Sequence, residues 1–145
     1  DPYFLSRVNF IVTITWNNTT TVDDFGSAGH RLPMLIYKIF RFHEWEQLKR
    51  TGQTSGAPID LDDGYIHFST SSQAQETADK HFAGAENLYV AAIDATKLGT
   101  GLKWEVSRGG AEFPHLYGKL NITDVEWCLP LPLVKGRHEF PEKFI

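Results

Sequence analysis

"DGYIHFSTSSQAQETADKHF" (Asp63–Phe82) holds the change of hydrophobic period on which the fold turns. Its first half reads as a short strand, with Tyr65, Ile66 and Phe68 around His67. Its second half reads as a helix, because Ala74, Ala78 and Phe82 recur at i, i+4 and i+8. Ser72 followed by Gln75 forms a capping-box pattern at its start, and Gly84 is its stop. Period two in a strand puts His67 and Ser69 on one face and Ile66 and Phe68 on the other. A polar face at this point is expected to look onto a cleft. A helix N-terminus offers free N–H groups and a positive dipole end, so an anion or phosphate can settle there. His67, Ser69 and Thr70 are therefore the first candidate ligand-binding residues. Helix capping accounts for the serines equally well, and a hydrogen-bonded sheet histidine accounts for His67.

The pattern extends outward on both sides. "MLIYKIF" (Met34–Phe40) is apolar and β-prone, hence a strand. "HEWEQLKRTG" (His43–Gly52) predicts a short helix, with Trp45 and Leu48 three apart and Gly52 placed for a left-handed C-terminus. "QTSGAPIDLDDG" (Gln53–Gly64) reads as a loop. "NLYVAAIDA" (Asn87–Ala95) is apolar on both faces and reads as a central strand. "LKWEVS" (Leu102–Ser107) is a strand, "RGGAEFPHLYG" (Arg108–Gly118) a glycine-rich irregular segment, and "LNITDVEWCLPL" (Leu120–Leu131) holds a further strand. The Pro-interrupted tail from Pro132 looks peripheral. Strands outnumber helices and are joined later in the chain by non-helical connections, which points to an α+β fold with a mixed sheet and two short helices.

The first 33 residues differ from the rest: "FIVTITW" (Phe10–Trp16) alternates like a strand, while Trp16–Pro33 is polar and rich in turn formers. The expected organisation is an extension over 1–33 and one domain over 34–145, with Met34 opening the compact part. A chain of 145 residues is one domain's worth, and 41% hydrophobic content is that of a globular protein. The single cysteine, Cys128, excludes an intrachain disulfide framework and fits a reducing compartment, so a cytoplasmic location is expected. A net charge of −4 without any basic run argues against a nucleic-acid partner. No apolar run approaches the roughly 20 residues of a membrane span, so no membrane partner is expected. Histidines 43, 67, 81 and 115 lack metal-ligand spacing, and no metal is expected.

Two further constellations carry chemistry. Glu105 alternates with Trp104 and Val106, so it points away from its apolar neighbours. A carboxylate there can hydrogen-bond a sugar hydroxyl and stabilise positive charge developing on a ribose carbon; a solvated strand-face glutamate is the competing interpretation. In "RGGAEFPHLYG", Gly109 and Gly110 loosen the backbone while Phe113, His115 and Tyr117 bring stacking and hydrogen-bonding groups together. Such a group suits a flat nitrogenous ring, although aromatics packed back on the sheet would look the same in sequence.

"GYIHFSTSSQAQETADKHF", "LKWEVSRGG" and "FPHLYG" together closely resemble the domain-of-unknown-function family 952, small bacterial proteins, over about Leu35–Val125. That resemblance implies a fold similar to the ADP-ribosyltransferase superfamily, a split mixed or antiparallel β structure that binds NAD in its cleft. A more distant likeness is to RNA 2′-phosphotransferases of that superfamily. "IYKI" stands at the place of their first strand, with Tyr37 matching and Lys38 where histidine is expected. "YIHFS" keeps His67 and Ser69 of their second motif with Tyr65 in place of its first histidine, "AAIDA" matches the third, and "VSRGG", with Arg108, resembles the fourth. Glu105 and Glu112 both lie in the region of the superfamily's catalytic glutamate.

The resemblance implies a nucleotide ligand, NAD as substrate, and ADP-ribosyl transfer or NAD glycohydrolysis with Glu105 and His67 as the catalytic pair. Tyr37, Lys38, Tyr65, Ser69, Thr70, Arg108, His115 and Tyr117 are the expected ligand-binding residues. A non-catalytic binding module of the same fold is the alternative, and RNA 2′-phosphotransfer a third reading that the acidic charge disfavours.

Overall fold

A computed structural model describes residues 33–144. The expectations for the N-terminal extension and for "FIVTITW" concern residues outside the described ones. The elements in chain order are β1 (Leu35–Arg41), α1 (Phe42–Thr51), β2 (Gln53–Thr54), α2 (Pro58–Asp63), β3 (Ile66–His67), α3 (Ser71–His81) and β4 (Leu88–Asp94). There follow β5 (Leu102–Val106), β6 (Glu112–Leu116), β7 (Leu120–Asn121), β8 (Val125–Leu131), β9 (Leu133–Val134) and β10 (Arg137–His138).

β4 is the centre of the larger sheet, in the order β1-β4-β8 with both pairings antiparallel. Its sequence explains that position. Ala91 and Ile93 face one hydrophobic cluster, and Leu88, Val90 and Ala92 face another on the opposite side. A strand buried on both faces must be apolar at every position. On the first face α1 inserts Trp45 and Leu48 among Ile36, Phe40 and Cys128. On the second, α3 lays down Ala74 and Ala78, whose small side chains let the helix approach Tyr37, Ile39 and Trp127.

The smaller sheet has the order β3-β6-β5, again antiparallel. It joins the larger one where Tyr37 and Ser69 exchange two backbone hydrogen bonds of 2.8 Å. The result is an α+β fold of split antiparallel sheets with few helices.

Four expectations are corrected. "APIDLDD" is not loop but the helix α2, with Pro58 in its first turn, Asp60 accepting from the Ala57 N–H at 2.7 Å, and Gly64 ending it at φ 87°. There are thus three α-helices rather than two among the described residues. The irregular segment contains β6, the middle strand of the smaller sheet, hidden in the sequence by its double glycine and by Pro114. The tail is not peripheral: Phe144 is buried with its ring 4.3 Å from that of Tyr37, and the buried His138 donates from Nε2 to the Ala85 carbonyl at 2.8 Å. The capping box of α3 also starts two residues earlier than read, with the Thr70 N–H donating to Gln73 Oε1 at 3.0 Å.

Candidate functional site

The site begins with a buried carboxylate. Asp60 is 1% exposed, and four donors surround it. Oδ2 accepts from the Ala57 N–H and lies 2.9 Å from Lys38 Nζ. Oδ1 accepts from the His67 N–H at 3.1 Å and sits 2.5 Å from His67 Nδ1. Gly56 makes room for this arrangement: at φ 107° it has no side chain, and a Cβ there would overlap the Asp60 carboxyl. Burial pushes the Asp60 carboxyl up, but the His67 hydrogen bond and the Lys38 ammonium outweigh it and lower it to about 2. Lys38, also buried, donates to the His67 carbonyl at 3.2 Å as well. One short helix turn and one β1 lysine thereby fix the position of His67 from both its backbone and its ring.

His67 itself remains partly exposed, and its Nε2 lies 3.0 Å from Asp63 Oδ2. Both ring nitrogens thus face carboxylates, of which a neutral imidazole can donate to only one. Across the ladder, His67 pairs with His115, and His115 pairs with Lys103. Residues opposite each other in antiparallel strands share a face, so the register places His67, Lys103, Glu105, His115 and Tyr117 on one side of the smaller sheet. On that side His115 Nδ1 lies 2.8 Å from Glu105 Oε1, and the Tyr117 hydroxyl donates to Glu105 Oε1 at 2.9 Å and Oε2 at 3.1 Å.

Tyr65 covers the group. Its ring stacks on His115 with centroids 4.1 Å apart, and lies 4.7 Å from His67 and 5.2 Å from Tyr117. The two imidazoles meet edge to face at 5.4 Å. Hydrogen bonds from His115 and Tyr117 hold the Glu105 carboxyl below its usual range, so it is an anion at neutral pH. The same bond to Glu105 leads the factors that push the Tyr117 phenol up. Burial, with Asp63 and Glu105 nearby, pushes the Tyr65 phenol up. A recess of about 250 Å³ adjoins the cluster, lined by Ser55, Asp60, Leu61, Gly64, Tyr65, Gly118 and Lys119.

Of the residues singled out in the sequence, the structure gathers Lys38, Tyr65, His67, Glu105, His115 and Tyr117 in this cluster. Tyr37 stands apart: it alternates with Lys38 and is buried on the other face of β1 against Trp127 and Phe144. Ser69 does not share a cleft with His67. The Phe68 N–H still donates to the Pro114 carbonyl of β6 at 3.0 Å, and Phe68 packs in one cluster with Ile66. At Ser69 the chain passes to β1, where Ser69 is buried away from the His67 cluster. The Ser69 hydroxyl bonds that of Thr77 at 2.9 Å. Thr70 opens α3, where its hydroxyl meets that of Ser72 at 3.2 Å. Arg108 lies in the turn between β5 and β6. Glu112 pairs with Val106, one step out of phase with His115, which leaves Glu105 as the glutamate of the cluster. Phe113 is buried.

Sequence reasoning missed Asp60, Asp63 and Lys119. The signal for Asp60 was present in "APID", a proline at the first helical position with an acid two residues on. Among the described residues no group of His, Cys, Asp and Glu side chains is arranged to hold a metal ion. No helix there is long and apolar enough to cross a membrane.

The family model described as protein of unknown function (DUF952) matches residues 39–128, which include every member of the cluster except Lys38. The chain belongs to the DUF952 family. Its similarity to solved structures agrees. A crystal structure of protein CC0527 from Caulobacter crescentus is 46% identical at a TM-score of 0.73, covering 76% of this chain and 97% of that one. A solution NMR structure of CC0527 is 48% identical at a TM-score of 0.66, covering 72% and 90%. No curated protein matches the chain. A fold similar to that of this chain is thus represented among experimental structures.

Proposed function

We propose that the Tyr65–His67–Glu105–His115–Tyr117 cluster is a ligand cleft that takes a nucleotide, with NAD as the substrate and cleavage of its nicotinamide–ribose bond as the chemistry. The observation that carries this reading is the convergence, on one sheet face, of an ionised glutamate held by two donors with a stack of aromatic and imidazole rings. The rings suit a flat base. Among the described residues Glu105 Oε2 accepts from Tyr117 alone, and it keeps acceptor capacity for a ribose hydroxyl.

Breaking the bond between ribose C1′ and the pyridinium nitrogen returns the electron pair to neutral nicotinamide and leaves positive charge on the ribose. A fixed carboxylate beside that carbon stabilises the charge as it develops. The acceptor, water in glycohydrolysis or a nucleophile in ADP-ribosyl transfer, adds at C1′ and gives up its proton. Ser55 and Lys119 in the adjoining recess are suitable partners for the phosphates. The ADP-ribosyltransferase-like character of the fold belongs to this same reading, supported by the split antiparallel sheets.

The test is calorimetric titration of the protein with NAD together with assay of free nicotinamide. Binding with turnover that disappears in Glu105→Gln supports the reading, and absence of binding at millimolar NAD contradicts it. Binding without turnover would favour a non-catalytic module, a reading helped by the fact that Asp60, His67, Glu105 and His115 already satisfy one another. RNA 2′-phosphotransfer is the weaker extension, since the cluster offers phosphates few cations and the chain is acidic.

A further inference from the structure

The backbone of β5 has two edges, and β6 occupies one of them. The Tyr117 N–H donates to the Gly101 carbonyl and the Ser107 N–H to the Ala111 carbonyl. Both pairs share the register of β5 with β6, so alternation makes Lys103↔His115 and Glu105↔Phe113 the hydrogen-bonded pairs. The N–H and C=O groups of Leu102, Trp104 and Val106 therefore point away from β6. The Leu102 N–H turns back to Gly99, but the Leu102 carbonyl and both groups of Trp104 and Val106 lie along the outer edge. Among the described residues no strand pairs with that edge. Trp104 and Val106 are 38% and 68% exposed beside it. Natural proteins seldom leave such an edge bare.

We infer that β5 pairs antiparallel with β5 of a second copy of this chain, centred on Trp104, to form a homodimer with one continuous sheet across it. The sequence "LKWEV" is self-complementary about its middle residue. In that register Trp104 faces Trp104, Leu102 faces Val106, and Lys103 faces Glu105, each of the unlike pairs occurring twice by symmetry. The outward-facing backbone groups, unpaired with any strand among the described residues, match: the Trp104 pair exchanges two hydrogen bonds, and each Val106 N–H meets a Leu102 carbonyl. The Lys103–Glu105 pairs fall at non-hydrogen-bonded positions, where side chains approach most closely. Sliding the register by two residues would lose both ion pairs and a Trp104 contact.

The pairing bears on the candidate cleft, because Lys103 of the second copy would arrive beside Glu105. That consequence rests on the nucleotide reading, whereas the dimer itself does not. An interface of one short strand with two tryptophans is small, so a concentration-dependent dimer with dissociation in roughly the micromolar range is expected.

The test is mass measurement by analytical ultracentrifugation of the full chain across a concentration series, with three variants. The wild type should pass from one chain to two. Val106→Pro removes only an outward-facing N–H and leaves the β6 ladder intact, and it should abolish the dimer. Lys103→Glu sets like charges opposite each other and should weaken association by about tenfold or more. Trp104→Cys should give an interchain disulfide under mild oxidation, because the central Cα atoms would lie about 5.5 Å apart; the native Cys128 is buried. A full chain that stays monomeric at about 100 μM, far above the range expected for such an interface, overturns the inference. So does a dimer that persists in Val106→Pro and forms no cross-link in Trp104→Cys. Loss of the dimer with unchanged NAD binding would separate this inference from the functional reading.

Discussion

Asp60 Oδ1 lies 2.5 Å from His67 Nδ1 while its other oxygen lies 2.9 Å from Lys38 Nζ, so one buried carboxylate holds both a buried ammonium and the histidine of the cluster. The function of this arrangement is positional. Lys38 is buried among apolar residues and needs the charge of Asp60; His67 needs a fixed acceptor to keep its ring oriented toward Asp63 and Tyr65.

Removing Asp60 should therefore cost far more than an average substitution. Asp60→Ala leaves the buried Lys38 ammonium without its counter-ion, with the His67 carbonyl as its remaining partner, and removes the acceptor of the Ala57 and His67 N–H groups, so a loss of about 3–5 kcal/mol is expected. Lys38→Met should cost less, since Asp60 keeps its three N–H donors. Urea unfolding of the two variants checks the order; equal or inverted losses would show that Asp60 is not the hub.

The same carboxylate sets an acid limit. Its folded value of about 2 lies below that of an unfolded aspartate, near 3.8. The unfolded chain then binds a proton that the native one does not, so stability falls as pH drops through this window and is fully present above about pH 4. The difference amounts to about 2 kcal/mol. Unfolding free energies measured between pH 5 and pH 2 should show this slope in the wild type and a shallower one in Asp60→Asn.

Gly56 should tolerate no side chain. Its φ of 107° and the overlap of any Cβ with Asp60 predict that Gly56→Ala destabilises the fold and displaces the carboxylate from His67. A loss of about 1–3 kcal/mol in thermal or chemical unfolding, with altered His67 ring resonances, is the expected pair of outcomes. A neutral substitution would mean that the α2 start can shift without consequence.

Much of this fold is legible in the sequence, for reasons that can be named. β4 is apolar at every position because it is buried on both faces, and α1 and α3 show their helical period through Trp45, Leu48, Ala74 and Ala78. What hid the rest was length and context. α2 spans six residues, too few to show a period, and its acid is buried only because Lys38 and His67 come to it from elsewhere in the chain. β6 contains a proline, which argues against a middle strand. Ser69 does not join the His67 cluster because the chain leaves β6 after Phe68 and pairs with β1 at Ser69, a change of partner that no local pattern signals. Glu105, His115 and Tyr117 were recoverable because the alternation of β5 and β6 runs intact up to each of them.

Glu105 offers the sharpest separation of binding from chemistry. Glu105→Gln preserves shape and removes the charge, so nucleotide binding should fall by no more than a few-fold while any nicotinamide release falls by at least about 100-fold. Tyr117→Phe removes one donor to the carboxylate and should have a smaller effect in the same direction. Single-turnover assays with the three proteins would show the ranking; equal losses of binding and turnover in Glu105→Gln would make Glu105 a binding residue only.

Whether the cluster of Tyr65, His67, Glu105, His115 and Tyr117 receives a nucleotide is read most plainly by an NMR titration with NAD that follows the imidazole and tyrosine ring resonances. Saturable shifts are expected at Tyr65, His67, His115 and Tyr117, with His43 and His138 unmoved and the response lost in His67→Ala. Shifts confined to other surfaces, or none at millimolar NAD, would contradict the nucleotide reading.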